Sequence, residues 1–443
     1  MKKILTTILA GTLVAGAAFA ADASVKLNYR ARLDAFSLLN ADDGNGHKDN
    51  TRNWMNWNGY GGKSSDNLDI QIKSDMFGAR LTLATNVDGS STPFNKTKEF
   101  SGWMKFNVGP GTLQFDVGNW GDGYADGNYR VKKDHDAQSS EGPDFEKFKL
   151  GSIFNGGKGI KFVDDLTSGN GEKALGGFAS YAFDVTETVN LKLTVGGVQA
   201  DDFDVPPAEI DGNTKTTTSW KSAFASRAQL KVKDVLNAEL IYKLNHKTGE
   251  DVTNTFGLYV MPQILDALTL NVGGAVELNG ADDCTDWGVD LRMRYQVMDP
   301  LSITFYTNVS GTTNDAGRKI SGGIVGFDGK QGILKAGEGP QIGKTEDNSP
   351  YLKVAMWNHL TGRYKVNDLL TATLNVGLIT PLSKVDNDDT SYGPEWRVTP
   401  GIQIFPEPEG KASLWAGVAI SGCSVEDASK IGVDIPVIFR VKW

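Results

Sequence analysis

The feature that most constrains this chain is an alternation that recurs from one end to the other. In "VKLNYRARLDAFS", every second residue from Val25 is apolar: Val25, Leu27, Tyr29, Ala31, Leu33 and Ala35. Between them lie Lys26, Asn28, Arg30, Arg32 and Asp34. The same period returns in "TVNLKLTVGGV", "VLNAELIYKL", "ALTLNVGGAVEL", "WGVDLRMRYQV", "LLTATLNVGL" and "IGVDIPVIFRVKW". A period of two sustained over about ten residues is the signature of a β-strand, and no comparable stretch repeats at the helical period of about 3.6. The chain is therefore expected to be all-β.

The connections alternate in length. Tight ones lie at 184–188, 232–236, 264–268, 297–301, 365–369 and 405–410. Long polar ones lie near 38–65, 88–99, 120–173, 200–218, 246–252, 279–286, 310–350, 381–393 and 421–430. Tight and long take turns, so the chain reads as a row of antiparallel hairpins with every short turn at one end. Strand starts are expected near residues 25, 66, 77, 100, 112, 174, 188, 219, 235, 253, 267, 287, 300, 351, 369, 394, 410 and 431. That makes about 18 strands, within a range of roughly 16 to 20. Two stretches, "EKFKLGSIF" and "GKGIKFVDD", are candidates for one further hairpin.

The chemistry of the two faces indicates the surroundings. Arg30, Arg32, Arg80, Arg227, Arg292, Arg294, Arg363, Arg397 and Arg440 all fall opposite the apolar set. Asp34, Glu239, Asp290 and Asp434 share their side and would balance part of that charge. On the apolar side, aromatics lie towards strand ends: Phe36, Trp220, Trp287, Tyr295, Tyr364, Trp396, Phe439 and Trp443. From Trp287 to Tyr295 is roughly 20 Å along the axis of a tilted barrel, against an apolar band of about 25 Å in membrane barrels. A soluble sandwich or propeller also alternates, but would more often bury its largest aromatics centrally. The expected fold is a transmembrane antiparallel up-and-down β-barrel, with short periplasmic turns and long extracellular loops. Its apolar face meets lipid, and its charged face lines a lumen. Closure is required because an open sheet edge in hydrocarbon leaves backbone groups unpaired. A barrel this wide is not filled by its own wall side chains, so an aqueous channel is expected.

Composition fits this reading. "MKK", then "ILTTILAGTLVAGAA", then "AFA" before Ala21 has the order of a secretory signal peptide over residues 1–20, leaving 21–443 as one barrel domain. No cysteine follows the cut, which disfavours a lipid-anchored N-terminus. Beyond the leader there is no run of about 18 apolar residues. The formal net charge of -9 disfavours a nucleic-acid partner. Cys284 and Cys423 make no disulfide framework, and one bridge or two separate thiols both remain open.

A leader, hairpins with one short-turn end, and a last strand closing on Val437, Phe439, Val441 and Trp443 together resemble bacterial outer-membrane β-barrels of the porin group with 16 or 18 strands. The resemblance is architectural, and a terminal Trp departs from the commoner Phe. It implies an outer-membrane location in a bilayer with outer-membrane glycolipid. The last four alternating residues would then be a signal for the barrel-assembly machinery. It also implies passive diffusion of small hydrophilic solutes and ions, and leaves open a homotrimer. In porins the third long loop folds inward and narrows the lumen. Here 120–173 has that position and carries Asp122, Asp126, Asp134, Asp136, Glu141, Asp144 and Glu146. Acids opposite wall arginines would set charge selectivity at a constriction. The alternative is a surface adhesin or structural barrel whose long loops contact a host.

No enzyme is expected. The four histidines form no zinc-spaced set, and there is no nucleophile elbow or phosphate-cradling glycine loop. No cofactor is implied. The loop pairs Asp42–Asp43, Asp201–Asp202, Asp282–Asp283 and Asp388–Asp389 could ligate Ca²⁺, but "ADDGNG" lacks the full ligand spacing of a calcium loop, and solvated loop charge is the better reading.

Overall fold

The computed structural model describes residues 22–42, 48–57, 67–84, 96–119, 149–150, 175–202, 208–210, 213–215, 219–247, 252–280, 283–315, 318–321, 351–384, 394–408, 411–425 and 428–442. These residues are almost entirely strand. In chain order they form β1 (Asp22–Asp42), β2 (Lys48–Trp57), β3 (Asn67–Lys73), β4 (Phe77–Ala84), β5 (Lys96–Val108), β6 (Gly111–Asn119), β7 (Lys149–Leu150) and β8 (Leu175–Thr186). Next come β9 (Val189–Asp202), β10 (Ala208–Ile210), β11 (Asn213–Lys215), β12 (Ser219–Val232), β13 (Leu236–Lys247), β14 (Thr253–Pro262), β15 (Leu268–Asn279) and β16 (Cys284–Met298). The last are β17 (Leu301–Thr312), β18 (Arg318–Ser321), β19 (Tyr351–Asn367), β20 (Leu370–Lys384), β21 (Glu395–Ile404), β22 (Ala412–Gly417), β23 (Ala419–Val425) and β24 (Ala428–Lys442). Each expected strand start lies within four residues of the start of one of these strands. Among the described residues no helix is long and apolar enough to cross a membrane, which says nothing of crossing by strands.

Every ladder is antiparallel. Followed from neighbour to neighbour, the ladders run β3, β4, β5, β6, β8, β9, β12, β13, β14, β15, β16, β17, β19, β20 and β21. β21 then pairs with β22 and β23 in succession, both of these pair with β24, and β24 pairs with β1. The long β1 completes the circuit by giving its lower half to β3 and its upper half to β2. This is the up-and-down topology of an antiparallel barrel, with the strands of this circuit laddered on both sides among the described residues.

The connections differ from the expected ones in several places, and the stretch 200–218 contains the β10–β11 hairpin. The stretch 38–65 is not all loop, because β2 continues the β1 hairpin as far as Asp42 opposite Lys48. The stretch 421–430 is a tight hairpin, with Val425 opposite Ala428. The expected extra hairpin near 146–165 is also not what Lys149–Leu150 forms. They pair with Ser321–Ile320 of β18, and the rest of that stretch lies outside the described residues. The tight turn between β12 and β13 uses Asp234 at φ 58, a left-handed position that Asp tolerates better than most residues.

One line across the wall is irregular. β22 and β23 are a single strand interrupted at Val418. Beside the break stands Pro400 of β21, whose carbonyl accepts from the Val418 N–H at 3.0 Å. On the other side the register sets Pro436 of β24 opposite Gly417. Proline has no N–H, so the carbonyls of Gly417 and Val418 each lose a ladder donor. In the next pairing the β1–β24 register shifts between Asp34 and Ser37.

Candidate functional site

The two faces of this wall are buried in the opposite sense to a soluble protein. Large apolar side chains stand out: Val117 is 65% exposed, Phe100 61%, Leu240 57% and Val289 54%. Polar ones are hidden: Gln403 is 0% exposed, Arg397 1%, Lys243 2% and Glu239 4%. A continuous exposed apolar surface of this kind has no place in water, where large apolar patches associate. The enclosed face therefore holds whatever chemistry the molecule has.

On that face the arc from β3 to β16 is built of acids beside donors. Arg80 donates to both carboxylate oxygens of Asp69 at 2.9 Å, and Thr82 adds 3.2 Å. Gln114 donates to Asp116 at 2.8 Å. Arg227 lies 3.8 Å from Glu239, which also accepts from Gln229 at 3.1 Å. Thr255 donates to Glu277 at 3.0 Å. Arg292 stacks its guanidinium 5.0 Å from the centre of the Tyr306 ring, and Lys105 lies 4.8 Å from the Trp103 ring. The cause is cross-strand register: Arg227 and Ile241 are direct partners, so Arg227 meets Glu239 one step along the same face.

The arc from β17 to β23 is different. Among the residues whose side chains are described there, the inner-face cations include Lys353, Arg363 and Arg397, joined by His359, and Lys353 lies 3.4 Å from the Asp315 carboxylate. Arg363 donates to the side-chain oxygen of Gln403 at 3.3 Å, and Arg397 to Thr399 at 3.4 Å. Trp415, 1% exposed, donates its indole N–H to Thr373 at 2.9 Å. Thr361 donates to Asn375 at 2.8 Å, and Ser310 to Asn308.

The expected wall arginines divide as follows. Arg227, Arg292, Arg397 and Arg440 are buried, and Arg80, Arg294 and Arg363 are half-buried. For Arg30 and Arg32 the register is described, opposite Arg440 and Ile438. The loop acids Asp122, Asp126, Asp134, Asp136, Glu141, Asp144 and Glu146 lie outside the described residues, as does Trp443. Phe439 stands 45% exposed on the outer face. Cys284 is a buried thiol on β16, not half of a disulfide. Among the described residues no group of three His, Cys, Asp or Glu is placed to hold a metal ion.

Sequence reasoning missed the inner-face aromatics. Trp103, Phe178, Tyr259, Tyr306 and Trp415 share the polar side of their strands. Several lie flat over a glycine of the next strand. A Cβ on Gly273 would come within 2.1 Å of the Tyr259 ring, and one on Gly401 within 2.3 Å of the Trp415 ring. Gly78 opposite Trp103 and Gly196 opposite Phe178 repeat the arrangement. This is aromatic cover of strand glycines, and it flattens large rings against the wall instead of across the lumen.

The stretch between β6 and β8 also reaches this wall. Its Lys149 and Leu150 pair with Ser321 and Ile320, which lie between β17 and β19. In the ladder circuit, β17 and β19 stand almost opposite β6 and β8.

No family model and no curated protein matches this chain. Among solved structures it is similar to OccK11 (OpdR) of Pseudomonas aeruginosa, at 8% identity and a TM-score of 0.44, covering 96% of each chain. It is similar to the outer-membrane channel DcaP of Acinetobacter baumannii at 11% identity and a TM-score of 0.40, over 96% of this chain and 97% of that one. A third is an anion-selective porin from Comamonas acidovorans, at 10% identity and a TM-score of 0.41, over 96% of this chain and all of that one. At such identities and scores the fold is read from the ladders themselves.

Proposed function

We propose that this chain is an outer-membrane porin: a passive channel through which small hydrophilic solutes and ions cross the bacterial outer membrane. The observation that carries this is the inverted wall, with Val117, Leu240 and Val289 exposed outside and Arg227, Lys243 and Arg397 hidden within. Lipid solvates the first set, and only an aqueous interior justifies the second. The wall side chains are mostly less than a tenth exposed, so the passage is narrow at their level and favours small solutes. No bond is made or broken, and no cofactor is needed.

Three finer points belong to the same reading. Residues 1–20 direct export and are removed. Val437, Phe439 and Val441, with Trp443, present the last strand to the barrel-assembly machinery. The 120–173 stretch narrows the passage, which is supported by the pairing of Lys149–Leu150 on the far side of the ring.

The test is single-channel recording of refolded residues 21–443 in a planar bilayer under a salt gradient. Stepwise openings of low conductance are expected. Deleting 125–165 should raise the conductance, and an unchanged value would remove the constriction. A folded barrel that stays silent would overturn the pore and favour a surface adhesin.

A further inference from the structure

We infer that the outer face around Thr307 and Asn358 is an interface between two copies of this chain, paired about a two-fold axis along the membrane normal. The inference rests on the outer face meeting lipid, and not on conduction through the lumen.

The argument starts from register. Thr307 of β17 and Asn358 of β19 are direct partners. Thr307 also stands opposite Leu291 of β16, and Asn358 opposite Leu378 of β20. Along their own strands the neighbours on this face are Phe305, Val309, Met356 and Leu360. All six neighbours are apolar. The pair is also deep. Leu291 is midway between Trp287 and Tyr295, the outer-face aromatics towards the two ends of β16. At about 4.8 Å per strand and a tilt near 40°, two strands shift the row by roughly 6 Å along the axis, which is less than half of an apolar band of about 25 Å. Asn358 therefore stands inside the hydrocarbon.

Both side chains are half-buried, so part of each faces outwards. No hydrogen bond joins either side chain to another described residue. Lipid tails offer an amide neither donors nor acceptors, so an unmet amide at this depth is costly. In bilayers such side chains are met by polar groups across protein contacts.

The chemistry selects a second copy as the occupant. A side-chain amide carries both an acceptor and donors, so two asparagines satisfy each other, each donating one N–H to the other's oxygen. Every copy inserts in the same direction, so Asn358 lies at the same depth in each. A two-fold axis along the normal then sets Asn358 of one copy against Asn358 of the other, with one patch serving both sides. The approach is open. Four residues along the same face, a Cβ on Gly362 would meet nothing within 4 Å, and small residues of this kind let two membrane surfaces come close.

The experiment extracts the chain from bacterial outer membranes in a mild detergent and measures its mass by sedimentation equilibrium in density-matched buffer. A dimer that dissociates on dilution is expected. Asn358→Leu should raise the dissociation constant about tenfold, because it removes the reciprocal amide bonds, and Thr307→Val should raise it less. Asn358→Cys should give more covalent dimer on mild oxidation than the wild type does, since the two-fold axis sets the same residue face to face. The dissociated Asn358→Leu barrel should be at least as heat-stable as the wild type, because an amide has left the lipid face. A less stable variant would assign the amide to the wall itself and overturn the interface. A monomer at every concentration, a trimer, or an Asn358→Leu variant that dimerises as tightly as the wild type would also overturn it.

Discussion

The two arcs of the inner wall have the same fold and differ in the partners their polar side chains meet. From β3 to β16 carboxylates are matched to nearby donors: Asp69 to Arg80, Glu239 to Arg227 and Gln229, Glu277 to Thr255. From β17 to β23 arginines also donate to neutral groups: Arg363 to Gln403 and Arg397 to Thr399. Charges on the first arc satisfy one another and hold strands in register. On the second, the neutral partners come from the same cross-strand register.

That division breaks most sharply at Glu239. Arg227 and Glu239 have side chains 6% and 4% exposed, and removing one partner of such a pair leaves a buried charge. Glu239→Leu should cost about 3–5 kcal/mol, read as a lowered denaturant midpoint for the barrel in detergent. Adding Arg227→Met should recover much of the loss, because the buried pair is then replaced by apolar groups. A single variant as stable as the wild type would mean that the paired arc is not held by its pairs.

The second prediction tests what the arcs share. Each has a glycine under a flat aromatic, Gly273 beneath Tyr259 and Gly401 beneath Trp415. Valine at either position drives a methyl into a ring and should destabilise by about 1–3 kcal/mol. The two variants should behave alike in thermal unfolding, since ring cover does not depend on the charges nearby. A large difference would tie the rings to the electrostatics.

These arcs were only partly legible in the sequence. Barrel strands announce themselves through period two, because one face must be apolar, and the starts of β4, β12 and β19 are read to the residue. β2 gave no such signal. In "KDNTRNWMNW" neither alternate set is apolar, so the pattern that marks a lipid-facing strand is missing. The hairpin at Val425 and Ala428 was hidden in the same way by "SVEDASK". The inner-face aromatics needed register as well. Trp103 on the polar side of "SGWMKFNV" makes sense only once Gly78 is known to be its partner. Likewise, "KVAMWNHLTGRYK" shows no acid on β19, but only the pairing order joins it to β17, β20 and β21.

The third prediction converts one arc towards the other. Thr399 lies 3.4 Å from the Arg397 guanidinium, so Thr399→Asp would set a carboxylate beside it. Anion preference, read from the reversal potential under a salt gradient, should fall by a factor of a few, as expected for one charge at a narrow wall. Asp69→Asn on the paired arc should move the same potential much less. Equal shifts from the two variants would show that the lumen responds to net charge alone and not to where it sits.

The smallest effect belongs to the place where the second arc meets the closing strands. Pro400 and Pro436 flank Gly417 and Val418, and neither can donate to the carbonyl beside it. Val418 is 40% exposed on the outer face, so its backbone stands at the lipid side of the wall. The paired arc contains no proline at a comparable mid-strand position between two ladders. Pro400→Val and Pro436→Val each restore one possible N–H···O bond, worth about 1 kcal/mol at most once the flexibility regained by the unfolded chain is set against it. Hydrogen exchange provides the more sensitive readout. In the wild type, amides of 416–420 should exchange faster than those of 269–273 on the paired arc, and the double variant should bring them closer together. Equal protection in the wild type would mean that the carbonyls have found other donors, and that the two arcs differ in charge but not in rigidity.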